Sequence, residues 1–416
     1  MILVQNRRLP LNGSKILAVI LLMGMLFGAC APKILRPGGG KGPKSPSKKT
    51  EEAEKKEDVK TGAKKEISFN NIALLLPFQL DKVIDSLPNK RDVERSSLAL
   101  DFYQGFRLGL DMLAKEGDNF KLHVLDTKDN TGEVQKLAVG KDIADAQLVI
   151  GPIFPTEINA FSSSANLKGK LQISPLAASN PSRYQVDNLV TVTPPIEVHA
   201  QVISKYIADK FGADGKVIIV NTNDEDSRKF IDPLKTALDA LDVHYTEVTE
   251  LSDIEANLAV TGKNLVINGS ANQYFLSPLI ADLYRLKTEQ AYDLSLIGHP
   301  NWSKLDFNAE YLKALNTCIS SSYFISEAND DVRKFRVNYF DLYKVIPSEF
   351  AFKGFDTGVF FGRLLARYPE DYVSRVAKEK HNGLSIGFDF KQNPNAGYVN
   401  NFVRLLRFNG TTYKPL

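Results

Sequence analysis

The side chains that most often carry chemistry are thinly spread along this chain. Five histidines, His123, His199, His244, His299 and His381, stand too far apart for HExxH or any other short metal-ligand spacing, so no metal site is expected. Asp126 and Asp129 bracket Thr127-Lys128 at the end of an apparent strand. A phosphoryl-transfer site could use such a pair, but helix capping and loop solvation are the more ordinary role of these residue types. Gly38 to Ser45 approaches the phosphate-loop pattern GxxxxGK[ST], yet Pro43 replaces the second glycine and no strand precedes it. There is no GxSxG elbow, since Gly269-Ser270 lacks the flanking residues. A carboxylate pair for glycoside hydrolysis need not be adjacent in sequence, and no motif favours one. These observations point away from an enzyme and call for no cofactor.

The chain has two cysteines, Cys30 and Cys318. Cys318 lies in an apparent strand and reads as a small buried hydrophobe. Cys30 has a more specific setting. Arg7, Arg8 and Lys15 precede an apolar-plus-glycine run of 14 residues, Ile16 to Ala29, that ends at Cys30. A membrane-crossing helix needs about 20 residues, whereas a basic region, a short apolar core and small residues before a cut describe an export signal. Phe27-Gly28-Ala29-Cys30 resembles the lipobox of bacterial lipoproteins, with Phe27 where Leu is usual. The resemblance implies cleavage after residue 29 and lipidation of Cys30. Acyl chains there would hold the protein at a membrane, each buried methylene contributing roughly 0.8 kcal/mol. Ala31, rather than Asp, implies the outer membrane facing the periplasm. With Cys30 lipidated, no disulfide can form within the chain.

The formal net charge of +3 divides unevenly. The leader carries +3, residues 31–66 carry +5, and the body from residue 67 carries −5. A mildly acidic body gives no basic face for nucleic acid. The segment 30–68 holds Gly38-Gly39-Gly40, Pro43, Pro46 and a Lys/Glu run, a composition unable to bury enough apolar surface to order itself. It reads as a tether, reaching about 120 Å at full extension.

From Ile72 the pattern alternates. Ile72 to Leu76 is a strand apolar on both faces, and Leu98, Phe102, Phe106 and Leu110 mark one face of a helix. Short strands follow at Leu122–Leu125, Leu148–Ile150 and Leu171–Ser174, and the series restarts after Pro194-Pro195 with Val217–Val220, Leu265–Ile267, Leu294–Ile297 and Thr317–Phe324. Alternating strands and helices predict an α/β protein with doubly wound parallel sheets. About 350 residues suit two cores better than one. Asp330–Tyr343 and Glu349–Ala366 read as closing helices, with Gly354 and Gly358 permitting close approach, before strands at Leu384–Phe390 and Val403–Phe408.

Several segments in this order resemble type I periplasmic binding proteins, the group of branched-chain amino acid receptors. They are Ile72-Ala73-Leu74-Leu75-Leu76-Pro77-Phe78, Phe102 to Gly109, Val149-Ile150-Gly151-Pro152, Ile173-Ser174-Pro175-Leu176-Ala177-Ala178-Ser179-Asn180-Pro181 and Gly354-Phe355-Asp356-Thr357-Gly358. The resemblance covers most of residues 70–408. It implies a first lobe of residues 69–194 and 326–416, a second lobe of 195–325, three crossings between them and a ligand in the inter-lobe cleft. Carried over by position, the resemblance puts Phe154, Thr156 and Ser179 at the ligand, with Phe78 as a wall. Asn223, Asn272, Trp302 and Tyr323 are the second-lobe candidates. Phe154-Pro155 departs from the small, Ser-rich loop of amino acid receptors, which implies a bulkier or less charged ligand, or none. The expected function is binding of a small solute, amino acid-like by the resemblance, for uptake or sensing. The alternative is an envelope interaction protein, such as a peptidoglycan synthase activator or a peptidoglycan-associated scaffold.

Overall fold

In the computed structural model, the apolar run at Ile72–Leu76 sits where a strand covered on both faces must sit. β1 (Asn70–Leu76) lies between β2 (Phe120–Asp126) and β3 (Leu148–Ile150), parallel to both, with Ile72 opposite Leu122 on one side and Leu148 on the other. The structure describes residues 68–85, 89–250, 252–393 and 396–416. The expected leader 1–29, the lipidation site Cys30 and the tether as far as residue 67 lie outside the described residues. Among the described residues no helix is long and apolar enough to cross a membrane.

β4 (Leu171–Ser174) and β5 (Leu189–Thr191) extend the first sheet in parallel. The intervening helices are α1 (Leu80–Asp85), α2 (Lys90–Lys115), α3 (Thr131–Ala138), α4 (Lys141–Asp145) and α5 (Pro155–Ser162). A second sheet repeats the pattern with parallel strands β6 (Lys216–Val220), β7 (Thr246–Val248), β8 (Lys263–Asn268), β9 (Asp293–Gly298) and β10 (Cys318–Ser321). Its helices are α6 (Ile196–Phe211), α7 (Glu225–Asp239), α8 (Ser252–Ala256), α9 (Gln273–Glu289) and α10 (Ala309–Ala314). The chain then returns to the first lobe through α11 (Asp330–Tyr343), α12 (Glu349–Arg367) and α13 (Tyr372–Arg375). There β11 (Lys380–Asn382), β12 (Gly387–Gln392) and β13 (Tyr398–Asn400) complete an eight-stranded sheet of order β11-β12-β13-β5-β4-β3-β1-β2.

The last strands depart from the expected return of 326–416 to the first lobe. After Asn400 the chain crosses again, and β14 (Arg404–Phe408) pairs antiparallel with β10 while β15 (Tyr413–Pro415) pairs with β14, giving a seven-stranded second sheet. Leu406, buried in the second-lobe core, is what this excursion contributes. The three crossings are therefore at 192–195, 322–329 and 401–403.

The return to the first lobe is fixed by glycine. On α2, Gly105 faces the backbone of Ala351 and Gly109 that of Phe355, Gly358 and Val359; on α12, Gly354 and Gly358 face the backbone of Phe102 and Phe106. A Cβ on Gly105 would collide with the Ala351 carbonyl oxygen, one on Gly354 with the Phe102 carbonyl oxygen, and one on Gly358 would stand 2.6 Å from the Phe106 oxygen. Phe102, Phe106 and Phe361 fill the flanks, each fully buried. Farther along α12, the buried Asp356 accepts hydrogen bonds from the amides of Leu384 (2.7 Å), Ser385 (2.8 Å) and Ile386 (3.0 Å) and from the Ser385 hydroxyl (2.7 Å). Tyr372 adds a second tie, donating to the Gln147 carbonyl at 2.5 Å and accepting the Leu171 amide at 3.0 Å.

Because backbone atoms, not side-chain tips, occupy the space beside Gly354, Gly354→Val must push the helices apart. We expect a loss of about 3 kcal/mol, the upper end for overpacking, read as a lower urea midpoint with an unchanged slope. An unchanged midpoint would show that the two helices are free to separate.

Candidate functional site

Both sheets present the carboxyl ends of their parallel strands toward a cavity of about 760 Å³ between the lobes. In open parallel sheets this is where loops and helix N-termini leave room for a ligand. The first lobe contributes Ala178, Asn180 and Arg183, from the segment after β4, and Glu349 and Lys353, from the first turns of α12. The crossings contribute Thr193, Ser322 and Tyr323, and the first turn of α6 contributes Glu197. The second lobe contributes the first half of α7 and the turn Pro300–Lys304.

Local chemistry places each of these. Asn180 caps the turn Pro181–Arg183 by accepting the Ser182 amide at 3.0 Å, which sets Arg183 at the rim. Asp224 caps α7 by accepting the Ser227 amide at 2.9 Å, so Glu225 and Asp226 stand in the first turn. His299 caps the Pro300–Lys304 turn, its Nδ1 accepting the Asn301 amide at 3.1 Å. That bond leaves the proton of the neutral imidazole on Nε2. His199 of α6 lies deeper, with Nδ1 at 2.9 Å from the Ser320 hydroxyl. Burial, with a contribution from His299, depresses the His199 pKa to about 4, and burial lowers that of His299 as well. Both rings are neutral near pH 7.

The charges of the cleft fall into two groups. Glu349 is partnered, by Lys353 at 3.0 Å and by Lys304 of the opposite lobe at 3.7 Å. Burial opposes its ionisation, but the two lysines outweigh burial and hold its pKa below the ordinary value. The Lys353 ammonium also lies 5.2 Å from the Tyr323 ring centroid. Glu225 pairs with Lys229 at 2.5 Å. Arg228 donates to the carbonyl and Oδ1 of Asn223, at 3.0 and 3.2 Å. Among the described residues Arg228 is in no ion pair, and neither are Arg183, Glu197, Asp226 and Asp232. No group of three or more His, Cys, Asp or Glu side chains among the described residues is arranged to hold a metal.

Of the eight residues singled out from sequence, Tyr323 alone lines this cavity. Ser179 is half-buried between two lining residues, Ala178 and Asn180. Thr156 is exposed in the first turn of α5, whose N-cap is Phe154 and whose first residue is Pro155; the expected loop is a helix start. Phe154 packs on the first-lobe core under the Arg95 guanidinium, 4.2 Å from its ring centroid. Phe78 stands edge-on to Tyr103 at 6.0 Å. Asn223, exposed with φ 56°, holds Arg228, and Asn272 caps α9. Trp302 is a core residue, 1% exposed; its indole donates to the Ser270 carbonyl at 2.8 Å, and its ring lies against Gly298. Asp126 accepts the amides of Gln79, Leu80 and Lys128, and Asp129 pairs with Arg95, so both serve the loop that they bracket.

The residues that sequence reading missed are Arg183, Glu197, Asp226, Asp232, Lys304, Glu349, Lys353 and the two histidines. Glu197, Asp226 and Glu349 are acids in the first turns of helices, where sequence alone reads them as caps or solvated faces.

The neutral His199 has a consequence for acid stability. Below pH 6.5 the unfolded chain takes up a proton that the folded protein refuses until about pH 4, so this residue costs stability as pH falls through that window. Asp356 acts oppositely. Burial raises its pKa to about 6, despite the hydrogen bonds to its carboxylate, so the folded protein gains a proton first and is stabilised as pH falls from about 6 to 3.8. His199→Gln removes only the first effect. Between pH 7 and pH 4.5 the variant should lose roughly 2–3 kcal/mol less than the parent, measured by urea unfolding at both pH values. Equal losses would mean that His199 titrates normally.

No protein-family model matches the sequence, and no curated protein matches it. Solved structures do. A branched-chain amino acid ABC transporter structure from Rhodospirillum rubrum aligns over 83% of this chain and 99% of its own, at 16% identity and a TM-score of 0.60. The C-domain of LpoA from Haemophilus influenzae, a regulator of PBP1A, aligns over 83% and 99% at 13% identity and a TM-score of 0.54. A substrate-binding protein of an ABC transporter from Desulfitobacterium hafniense, in complex with Leu, aligns over 83% and 99% at 14% identity and a TM-score of 0.50. At such identities the likeness establishes architecture, and with the two sheets, their shared cleft and the three crossings it makes this chain an α/β protein with the fold of type I periplasmic binding proteins.

Proposed function

We propose that the protein binds a small solute carrying both a cationic and an anionic group, held between the lobes for uptake or sensing. The observation that supports this reading most directly is the set of charges left over in the cleft. Arg183 on the first lobe faces a cavity whose other charges outside ion pairs come from the second lobe: Glu197, Asp226 and Asp232, with Arg228 already hydrogen-bonded to Asn223. A dipolar solute would satisfy both sides. In this reading the export signal and Cys30 place the body at the cell envelope, lipid-anchored to the outer membrane and facing the periplasm. The Desulfitobacterium protein, which shares the fold, holds Leu, a solute of this kind.

One observation favours a second reading, an envelope protein that works by contacting another protein. Val337, Phe340, Leu342, Val345 and Ile346 are 49–75% exposed within a single stretch of α11 and the loop after it. Apolar surface gathered in this way marks interaction sites more often than free surface. LpoA, described as a regulator of PBP1A, shares the fold.

Native mass spectrometry of the chain, purified in mild detergent without refolding, separates the two. A small-molecule adduct that Arg183→Ala and Asp226→Asn each weaken at least tenfold supports the solute. Each substitution removes a charged hydrogen bond of about 1.5–3 kcal/mol, and both positions are exposed, so thermal stability should hold. An adduct-free protein that captures an envelope protein through residues 337–346, with capture lost in Ile346→Glu, supports the second reading.

A further inference from the structure

The cleft does not end at the hinge. A second hollow of about 620 Å³ runs along the outer groove between α6 and α7 and shares Glu197, Asp232 and Pro233 with the first. We propose that the solute is a peptide of three to four residues, its ammonium end in the cleft and its chain lying in this groove. The inference rests on the solute reading above, keeps the cationic end at the cleft acids, and moves the anionic end from Arg183 to Lys205.

The junction offers acceptors only. The carboxylates of Glu197 and Asp232 have no ion-pair partner among the described residues. Pro233 lies inside α7 and has no N–H, so the Lys229 carbonyl, four residues earlier, lacks its usual helix donor. Two carboxylates and a spare carbonyl match a group with several N–H donors and a positive charge, which is an ammonium. The groove beyond is lined by the small and apolar Ala237, Ala240 and Leu241 together with Gln201, Ser204 and Thr236. No aromatic ring lines it, so it lacks the stacking surface that favours a sugar.

At the far end stands Lys205, exposed and in no ion pair among the described residues. From Glu197 to Lys205 is eight residues of one helix, about 12 Å at 1.5 Å per residue. An extended peptide advances about 3.3–3.6 Å per residue. Three to four residues therefore separate a terminal ammonium at Glu197 and Asp232 from a terminal carboxylate at Lys205. A single amino acid cannot reach both ends, and a longer peptide overruns the lysine.

The test uses the full chain in mild detergent, offered in turn a pool of the common amino acids, randomised tri-, tetra- and octapeptide pools, and a neutral trisaccharide. Retained mass is read by native mass spectrometry. Tri- and tetrapeptides should be retained at least tenfold over amino acids and octapeptides. Ala240→Trp, which fills the groove from an exposed position, and Lys205→Glu, which reverses its end charge, should each cut tripeptide retention at least tenfold. Retention of amino acids alone, of the trisaccharide, or of tripeptides equally by parent and both variants overturns the peptide while leaving a solute in the cleft. Retention of nothing from any pool overturns both readings.

Discussion

The contact between α2 and α12 is the constraint on which the rest of the structure depends. Helices usually pack with axes 8–10 Å apart because side chains stand between them. Here Gly105 and Gly109 lie against the backbone of Ala351, Phe355 and Gly358, and Gly354 and Gly358 against that of Phe102 and Phe106, so that backbone touches backbone. Such a contact tolerates neither a shift along the axis nor a rotation, since either would bring a Cβ onto a carbonyl. The register of α12 is therefore set within a fraction of a turn. One turn before Gly354, that register carries Glu349 and Lys353 into the cleft. Just after it, Asp356 is delivered to the amides of Leu384, Ser385 and Ile386, which start the strand closing the first sheet.

The cleft built on this frame keeps two kinds of charge. Glu349 is already neutralised by Lys353 and by Lys304 across the opening, and so contributes to geometry more than to recognition. With Lys304 largely exposed, its link across the cleft is a weak one. Arg183, Asp226, Asp232 and Glu197 remain hydrated, which costs little while the site is open. Closing the lobes over them would remove that water, and a buried unpaired charge is expensive. A ligand with complementary charges offsets the penalty, whereas an apolar one does not. The neutral histidines at the floor add donors and acceptors without adding to this electrostatic demand.

What could be read from sequence followed the range of the interactions. The run Ile72–Leu76 and the stripe Leu98, Phe102, Phe106, Leu110 are local patterns, and they appear as an interior strand and the core helix of the first lobe. Gly354 and Gly358 could be read as a site of close approach because only backbone contact explains glycine spaced by four in a helix. The cleft residues were opaque for the opposite reason. Glu197, Asp226 and Glu349 each begin a helix, where an acid is expected on local grounds, and only the crossings bring those helix starts together. Trp302 misled because a lone tryptophan after His299-Pro300 looks like a loop residue; Gly298 makes the space in which its ring is buried. The strand at Arg404–Phe408 was legible as a strand but not by lobe, since its partner β10 lies far away in sequence.

The crossings themselves are tied to one another, which limits how the lobes can move. Asn400, almost wholly buried, uses its full side-chain amide. Its Nδ2 donates to the carbonyls of Val192 (2.9 Å) and Gly387 (2.8 Å), and its Oδ1 accepts the amides of Asp389 (3.0 Å) and Phe402 (3.1 Å). One residue thus joins the start of the first crossing to the third. His199 and Ser320 join the helix after the first crossing to the strand that leads into the second. The three segments consequently pivot as a set, and a change of angle at one must be shared by the others. Placing a neutral imidazole at that junction gives the link hydrogen-bonding direction without a charge, so opening and closing the cleft need not move an ion into or out of water.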